Sequence, residues 1–189
     1  MMQGRAFFDL DGDGVVDVTI QDRHYRTYTG FWHSNTSQRL KVTGPPGGGV
    51  IGSGKYAGAM SAGLVIGSTR PFKDFGDKAI SMATTGLAHC GSSCYVNIVE
   101  GPWISANKRF LGLRFRVGGE THYGWLRLNT RSSIFPPRVD ATISGYAYEV
   151  SSNKSIMAGQ LKENSSTDIG SADVTPGALG DLATGRSPQ

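Results

Sequence analysis

The clearest alternation of hydrophobic and polar residues lies in the segment "RFLGLRFRVGGETHYGWLRLNT", residues 109–130. A period of two residues is typical of a β-strand, because successive side chains point to opposite faces of a sheet. Gly118 and Gly119 separate two such runs, and glycine readily adopts the positive φ that a two-residue hairpin turn requires. The segment therefore predicts an antiparallel hairpin that turns at these two glycines.

The turn also predicts which residues lie opposite each other. Counting outward from it, Phe115 faces His122 and Gly112 faces Trp125. One face is hydrophobic and is expected to line a core: Leu111, Leu113, Phe115, Val117, Leu126 and Leu128. The other face combines aromatic rings with guanidinium groups: Phe110, Arg114, Arg116, Tyr123, Trp125 and Arg127. His122 falls on the core face, which favours a hydrogen-bonded core histidine over a catalytic base.

Shorter strand-like segments flank this hairpin, and no long helical pattern is present. They lie at residues 4–9, 15–22, 39–44, 95–99 and 140–150. Residues 50–70 are punctuated by glycine and have room for one or two short strands, and residues 71–85 are ambiguous between strand and loop. Short strands separated by glycine-rich turns predict an all-β fold, an antiparallel β-sandwich with a loop-bearing hairpin near the N-terminus.

The C-terminal segment differs in composition from the rest of the chain. Residues 160–189 are rich in Ser, Gly, Asp and Thr and contain no aromatic residue. Such a segment has too little apolar surface to bury against a core of its own. We therefore expect one β-sandwich domain over residues 1–159 and a flexible tail over residues 160–189.

Charge and hydropathy argue against nucleic-acid binding and against a transmembrane segment. The 189 residues include 19 Lys and Arg against 15 Asp and Glu, a net charge of +4, and the basic residues are scattered. A nucleic-acid partner is not expected, because it would call for a basic stripe or a known module. No run of 18 apolar residues is present, so no transmembrane segment is expected. The sequence enters a strand almost at once without a visible leader, as a mature exported domain or a cytosolic protein would.

Two cysteines, Cys90 and Cys94, are separated by a flexible Gly-Ser-Ser spacer. A disulfide between them is the favoured interpretation, and it would close a small loop and indicate an oxidising compartment. Free thiols are the next alternative. A structural zinc site is the third, because His89 is adjacent but no second cysteine pair is present.

The strongest chemical motif is "FFDLDGDGVVDVTI", residues 7–20, which carries aspartates at 9, 11, 13 and 17. Carboxylates at alternate positions of a tight loop converge on one hard cation, and calcium takes six to eight oxygen ligands in flexible geometry. We therefore predict calcium as the cofactor, held by Asp9, Asp11, Asp13, the Val15 carbonyl group and Asp17. The alternative is a solvated Asp-Gly turn without metal.

The motif departs from the helical EF-hand. The twelfth position of such a loop should be a bidentate glutamate, and here it is Ile20. The flanking residues also alternate like strands. The loop instead resembles the calcium loops inserted in the β-hairpins of integrin-type propeller repeats.

The polar face of the main hairpin offers a second candidate site. Tyr123 and Trp125, with Arg114 and Arg127, have the chemistry of a sugar-binding or polymer-binding surface. The alternative is that this face forms a second core layer, with arginines at its rim and the Trp125 ring covering Gly112.

Catalysis is not expected from this sequence. Four carboxylates could supply a glycosidase pair, but their spacing singles out no two on one face: Glu100, Glu120, Asp140 and Glu149. Neither a phosphate-binding loop nor a G-x-S-x-G elbow is present. No catalytic residue is therefore assigned.

Three blocks of the chain, "FDLDGDGVVD", "HYGWLRL" and "GYAYE" followed by "AGQ", occur in a specific order. In these blocks the chain resembles a group of uncharacterised secreted bacterial proteins that often carry a PEP-CTERM-like sorting tail. The resemblance implies an extracellular or cell-surface location.

The metal loop and this resemblance together predict a secreted or surface-displayed, calcium-stabilised β module with a structural or adhesive role. Its expected partner is itself, through surface assembly, or an extracellular polysaccharide. A carbohydrate-binding module is the first alternative function, and a glycoside hydrolase-like enzyme is the second.

Overall fold

The computed structural model describes residues 4–28, 34–89 and 94–161 of the chain. This part is all-β, as predicted, and contains no helix, so it has no helix that could span a membrane. Its strands, in chain order, are β1 Arg5–Phe8, β2 Val18–Tyr28, β3 Ser34–Thr43, β4 Gly49–Ser53, β5 Tyr56–Ala57, β6 Val65–Ile66, β7 Phe72–Asp74, β8 Ile80–His89, β9 Tyr95–Glu100, β10 Arg109–Val117, β11 Glu120–Ile134, β12 Pro137–Tyr148 and β13 Ile156–Met157.

Most of these strands belong to one large sheet. Its hydrogen-bonded order is β1-β2-β3-β8-β5-β4-β10-β11-β12, with β7 added beside β4 and β9 beside β8. Every described pair is antiparallel except the short contact between β5 and β8, where Tyr56 faces Ser81. The sheet curls so that β12 packs on β3 and β8. Two facing layers therefore arise from a single mixed sheet, whereas the sequence suggested separate antiparallel sheets.

The main hairpin has the predicted register. β10 pairs with β11 so that Phe115 faces His122 and Gly112 faces Trp125. Five of the six hydrophobic residues expected in the core are fully buried between the layers, Leu111, Leu113, Phe115, Leu126 and Leu128, and Val117 is partly buried against them. Gly118 and Gly119 both have positive φ, as the two-residue turn requires. The prediction made from alternation and turn chemistry is confirmed.

A second hydrophobic cluster covers the other face of the hairpin. The Phe110 and Trp125 rings meet edge-to-face at 5.2 Å, and residues from β4, the segment after β5 and the two-stranded sheet of β6 and β13 pack over them. A side chain at Gly112 would come within 2.8 Å of the Ile51 and Met60 side chains. A larger residue there would therefore displace the ends of the Ile51 and Met60 side chains.

The described chain continues past the predicted domain boundary at residue 159. The Trp125 indole N–H donates a hydrogen bond to the Gln160 carbonyl oxygen at 3.2 Å, and the Gln160 side chain accepts one from the Met157 amide at 3.1 Å. Residues 162–189 of the predicted tail lie outside the described residues. The flexible tail stays a prediction.

Candidate metal centre

The aspartate-rich segment forms the connection of a β-hairpin. β1 and β2 pair antiparallel from Arg5 opposite Gln21 to Phe8 opposite Val18, and the Asp17 amide donates a hydrogen bond to the Phe8 carbonyl oxygen at 2.8 Å. Gly12 and Gly14 have φ of 80° and 86°, a region that favours glycine. The loop over residues 9–17 is therefore a tight, strand-connecting loop, as the sequence predicted.

Backbone amides inside the loop orient its first carboxylates. Asp9 accepts hydrogen bonds from the Gly12 amide at 2.7 Å and the Gly14 amide at 2.8 Å. Asp11 accepts one from the Asp13 amide at 3.1 Å. These bonds turn the chain around its own acidic side chains. The Gly14 amide also lowers the pKa of Asp9 below its ordinary value, because the hydrogen bond favours the charged form.

Three of the four aspartates converge. Asp9, Asp11 and Asp17 each offer a carboxylate oxygen, and these oxygens lie within 4.8 Å of one another. Two oxygens that share a calcium ion at about 2.4 Å each are at most about 4.8 Å apart, so the spacing fits a common ion. Asp13 is not in this group, and its Oδ1 accepts a hydrogen bond from the Val15 amide at 2.7 Å.

Asp17 is the buried member of the group. Its side chain is 5% exposed, and its Oδ2 accepts a hydrogen bond from the Leu10 amide at 2.8 Å. Burial raises the pKa of Asp17 to about 6, and the charges of Asp11, Asp13 and Asp9 act in the same direction. The loop therefore concentrates negative charge, and among the described residues no ion pair with lysine or arginine is formed by its aspartates.

Asp11 holds a further oxygen without a partner. Its Oδ2 is buried and makes no hydrogen bond within the described parts of the chain. A buried polar atom without a partner costs free energy unless a ligand or water satisfies it. The orphan oxygen and the three converging carboxylates both fit a cation ligand.

Leu10 joins the loop to the core, and sequence reasoning did not single it out. It is 4% exposed and belongs to the central hydrophobic cluster, although aspartates precede and follow it. The signal available in the sequence was a lone apolar residue inside an acidic segment. Because the Leu10 amide also holds Asp17, the loop geometry is coupled to core packing.

The second candidate site, the aromatic face of the β10–β11 hairpin, is buried and does not form an open binding surface. Tyr123 and Trp125 are 3% and 2% exposed, because the second hydrophobic cluster covers them. Arg114 pairs with Asp74 and lies over the Phe72 ring at 5.1 Å. This matches the packing alternative considered for the hairpin, with arginine at the rim.

Other residues considered for chemistry make local structural contacts. Arg127 donates hydrogen bonds to the hydroxyl and carbonyl oxygens of Ser144, both at 2.9 Å. His122 is buried, and its Nδ1 lies 2.9 Å from the Glu149 carbonyl oxygen. Glu149 is itself buried and accepts a hydrogen bond from the Ser151 amide at 3.0 Å.

The remaining carboxylates considered for hydrolysis lie on separate elements. Glu100, at the end of β9, accepts hydrogen bonds from Lys55 and Tyr56, both at 2.8 Å. Asp140, on β12, accepts one from Arg138 at 2.8 Å. Glu120 begins β11 beside the hairpin turn and is exposed.

Only one of the two cysteines of the predicted disulfide lies within the described residues. Cys94 is disulfide-bonded. Cys90 lies outside the described residues, so the pairing of Cys90 with Cys94 stays a prediction.

Comparisons with known proteins add no relative. No protein-family model, no curated protein and no solved structure matches the chain. The functional argument therefore depends on the residues and the geometry of the site.

Proposed function

We propose that the chain is a calcium-stabilised β module with a structural or adhesive role outside the cell or at its surface, and that it is not an enzyme. The observation that supports this most directly is the convergence of the Asp9, Asp11 and Asp17 oxygens within 4.8 Å. A divalent cation there would cancel the repulsion between the carboxylates and would give the unpaired Oδ2 of Asp11 a partner.

Calcium fits the donor set better than other common ions. All the converging atoms are carboxylate oxygens, which are hard ligands suited to calcium or magnesium rather than zinc. Calcium tolerates irregular geometry, whereas magnesium requires near-ideal octahedral coordination. A loop of backbone turns and short aspartates offers irregular geometry. The proposed set also includes the Val15 carbonyl group and Asp13, and Asp13 would turn from the Val15 amide toward the ion.

A stabilising role follows from the position of the loop. The ion would fix the connection between β1 and β2. Because Leu10 of this loop packs in the central hydrophobic cluster, a fixed loop would also stabilise the core. A disulfide at Cys94 supports an oxidising compartment, where weak calcium sites are filled. The resemblance in the three quoted sequence blocks points to the same location.

The proposal predicts that calcium raises the melting temperature of chelator-treated protein. A ligand that binds only the folded state stabilises it by about 2.7 kcal/mol at a hundredfold excess over its dissociation constant, and each kcal/mol corresponds to roughly 2–4 °C in a domain of this size. Asp11→Asn should remove the calcium effect, because it takes one charge from the site while keeping the side-chain shape. Thermal denaturation with calcium and with chelator measures both.

Asp77→Asn is the matched control, because Asp77 is exposed and lies outside the loop. This variant should respond to calcium as the natural chain does. Identical melting curves with calcium and with chelator in the natural chain would contradict the proposal. Magnesium at the same concentration tests the choice of ion and should give the smaller shift.

A further inference from the structure

Strand β9 lies at an open edge of the large sheet. It pairs with β8 from His89 opposite Tyr95 to Thr84 opposite Glu100, and no other strand of the described residues pairs with it. Among the described residues, its outer backbone N–H and C=O groups therefore have no strand partner. Natural proteins usually protect such edges with lysine, proline or a bulge. The β9 sequence "YVNIVE" contains neither lysine nor proline, and its pairing has no register shift.

Three of the exposed side chains of β9 are apolar or aromatic and carry no charge. Tyr95, Val96 and Val99 are 55%, 52% and 48% exposed. Glu100 is the only charged residue of the strand, and Lys55 and Tyr56 bind it. A neutral strand can approach another neutral strand without repulsion, even though each chain has a net charge of +4. The β9 strand of a second copy meets this condition.

We propose that two copies of the chain associate by antiparallel pairing of their β9 strands about a two-fold axis at Asn97. Residues directly opposite each other in an antiparallel pair share one face of the sheet, so a two-fold axis normal to the sheet passes beside a residue that faces its own copy. With the axis at Asn97, Val99 faces Tyr95 of the second copy, and Val96 faces Ile98 of the second copy. Apolar side chains then meet on both faces.

This register is supported by a cavity beside Val99. The cavity has a volume of about 330 Å³ and lies between β9, β8 and the turn from β11 to β12. Phe135 forms its exposed apolar wall, and Thr85 contributes a buried hydroxyl group without a hydrogen-bond partner among the described residues. Tyr95 of the second copy, on the same face as Val99, would enter this cavity. A tyrosine suits it, because its ring is apolar and its tip is polar.

This inference rests on the proposed structural role. It names a second copy of the chain as the partner and the edge of β9 as the surface that binds it. Self-pairing would join the two β1-β2-β3-β8-β9 layers into one continuous run of ten strands. The calcium loop lies between β1 and β2, on the far side of β3 and β8 from β9. The two features can therefore be tested separately.

Asn97→Cys tests the register by cross-linking. Directly opposite residues have Cα atoms about 4.5–5.5 Å apart, within the range of a disulfide bond. Under mild oxidation this variant should form a covalent dimer at high yield. Val96→Cys is the matched control, because Val96 is exposed on the same strand but lies two residues away from its own copy in the proposed register. The natural chain controls for exchange with the native cysteines.

Asn97→Lys tests association without oxidation. It places two like charges directly opposite each other, which destabilises strand pairing, and we expect a dimer weaker by about two- to fivefold. Sedimentation across a concentration series should therefore show a higher dissociation constant for this variant than for the natural protein. Val150→Lys adds the same charge at an exposed site after β12, at the other end of the sheet, and should remain dimeric.

A monomeric natural chain at all concentrations, or equal cross-linking of Asn97→Cys and Val96→Cys, would overturn the inference. Thermal denaturation of Asn97→Lys with and without calcium separates it from the proposed function. We expect the variant to remain folded and to keep its calcium response while its dimer is weakened. A natural chain that is dimeric but indifferent to calcium would contradict the proposed function alone. A monomer that responds to calcium would contradict this inference alone.

Discussion

At the scale of single residues, the four aspartates of one short motif differ in environment. Asp9 is held by two backbone amides, Asp17 is buried, and Asp13 is turned to the Val15 amide. The spacing in the sequence predicted that carboxylates would gather, and three of them do so. Which aspartate is buried depends on Leu10 entering the core, and no spacing rule encodes that contact.

The raised pKa of Asp17 predicts a pH dependence of stability in metal-free protein. The pKa is about 6 in the folded chain against an ordinary value of 3.8, so the folded state binds more protons between these pH values. The free energy of unfolding should therefore fall as the pH rises from about 4 to about 6, by up to about 3 kcal/mol from this group. Denaturant melts in chelator across this pH range measure the change.

Asp17→Asn isolates this contribution. Asparagine keeps an oxygen for the Leu10 amide but does not titrate, so the variant should lack the part of the pH dependence due to residue 17. Asp9 and Glu100, whose pKa values are lowered, contribute with the opposite sign in both proteins and cancel in the comparison. Equal pH dependence in the natural chain and the variant would contradict the prediction.

At the scale of secondary-structure elements, local sequence predicted the hairpin of β10 and β11 best. Its alternation and its Gly-Gly turn lie within one continuous segment, so register and core face follow from counting. The first half of β8 falls in residues 71–85, where the sequence is ambiguous between strand and loop, and β8 is buried along much of its length. Burial on both faces removes the alternation that marks a strand, and the covering strands come from distant parts of the chain.

The two faces of β10 predict different costs of truncation. Phe115 is fully buried, so Phe115→Ala should destabilise the chain by about 3–5 kcal/mol through lost burial and a cavity. Arg114→Ala should cost far less, because Arg114 pairs with a largely exposed Asp74 side chain, and exposed ion pairs contribute about 0–1 kcal/mol. Chemical denaturation of both variants measures the difference.

The Arg114 variant also tests the second hydrophobic cluster. Arg114 lies over the Phe72 ring, which packs against that cluster, so a modest loss above the ion-pair contribution is expected. A larger loss for Arg114→Ala than for Phe115→Ala would mean that the assignment of the two faces is reversed, because a one-residue shift exchanges them.

At the scale of the whole molecule, the all-β class was predictable, but the arrangement of strands was not. Glycine-rich turns and period-two segments indicate strands wherever they occur. The sheet order places β8 between β3 and β5, and the folding of β12 onto β3 and β8 depends on contacts across more than 40 residues of sequence. The burial of Trp125 has the same origin, because β6 and β13, which help to cover it, lie far from it in the sequence.

The extent of the folded domain is a property of this whole arrangement and gives the last prediction. A chain cut after residue 161 should melt at the same temperature as the full chain if residues 162–189 form the predicted flexible tail. A chain cut after residue 159 should be less stable by about 1–3 kcal/mol, because the buried Trp125 indole N–H loses its acceptor, the Gln160 carbonyl group. The two truncations differ by only two residues, so thermal denaturation of the pair isolates the role of Gln160 and Leu161. If instead the chain cut after residue 161 melts well below the full chain, then residues 162–189 pack on the domain, and the predicted division of the chain is wrong.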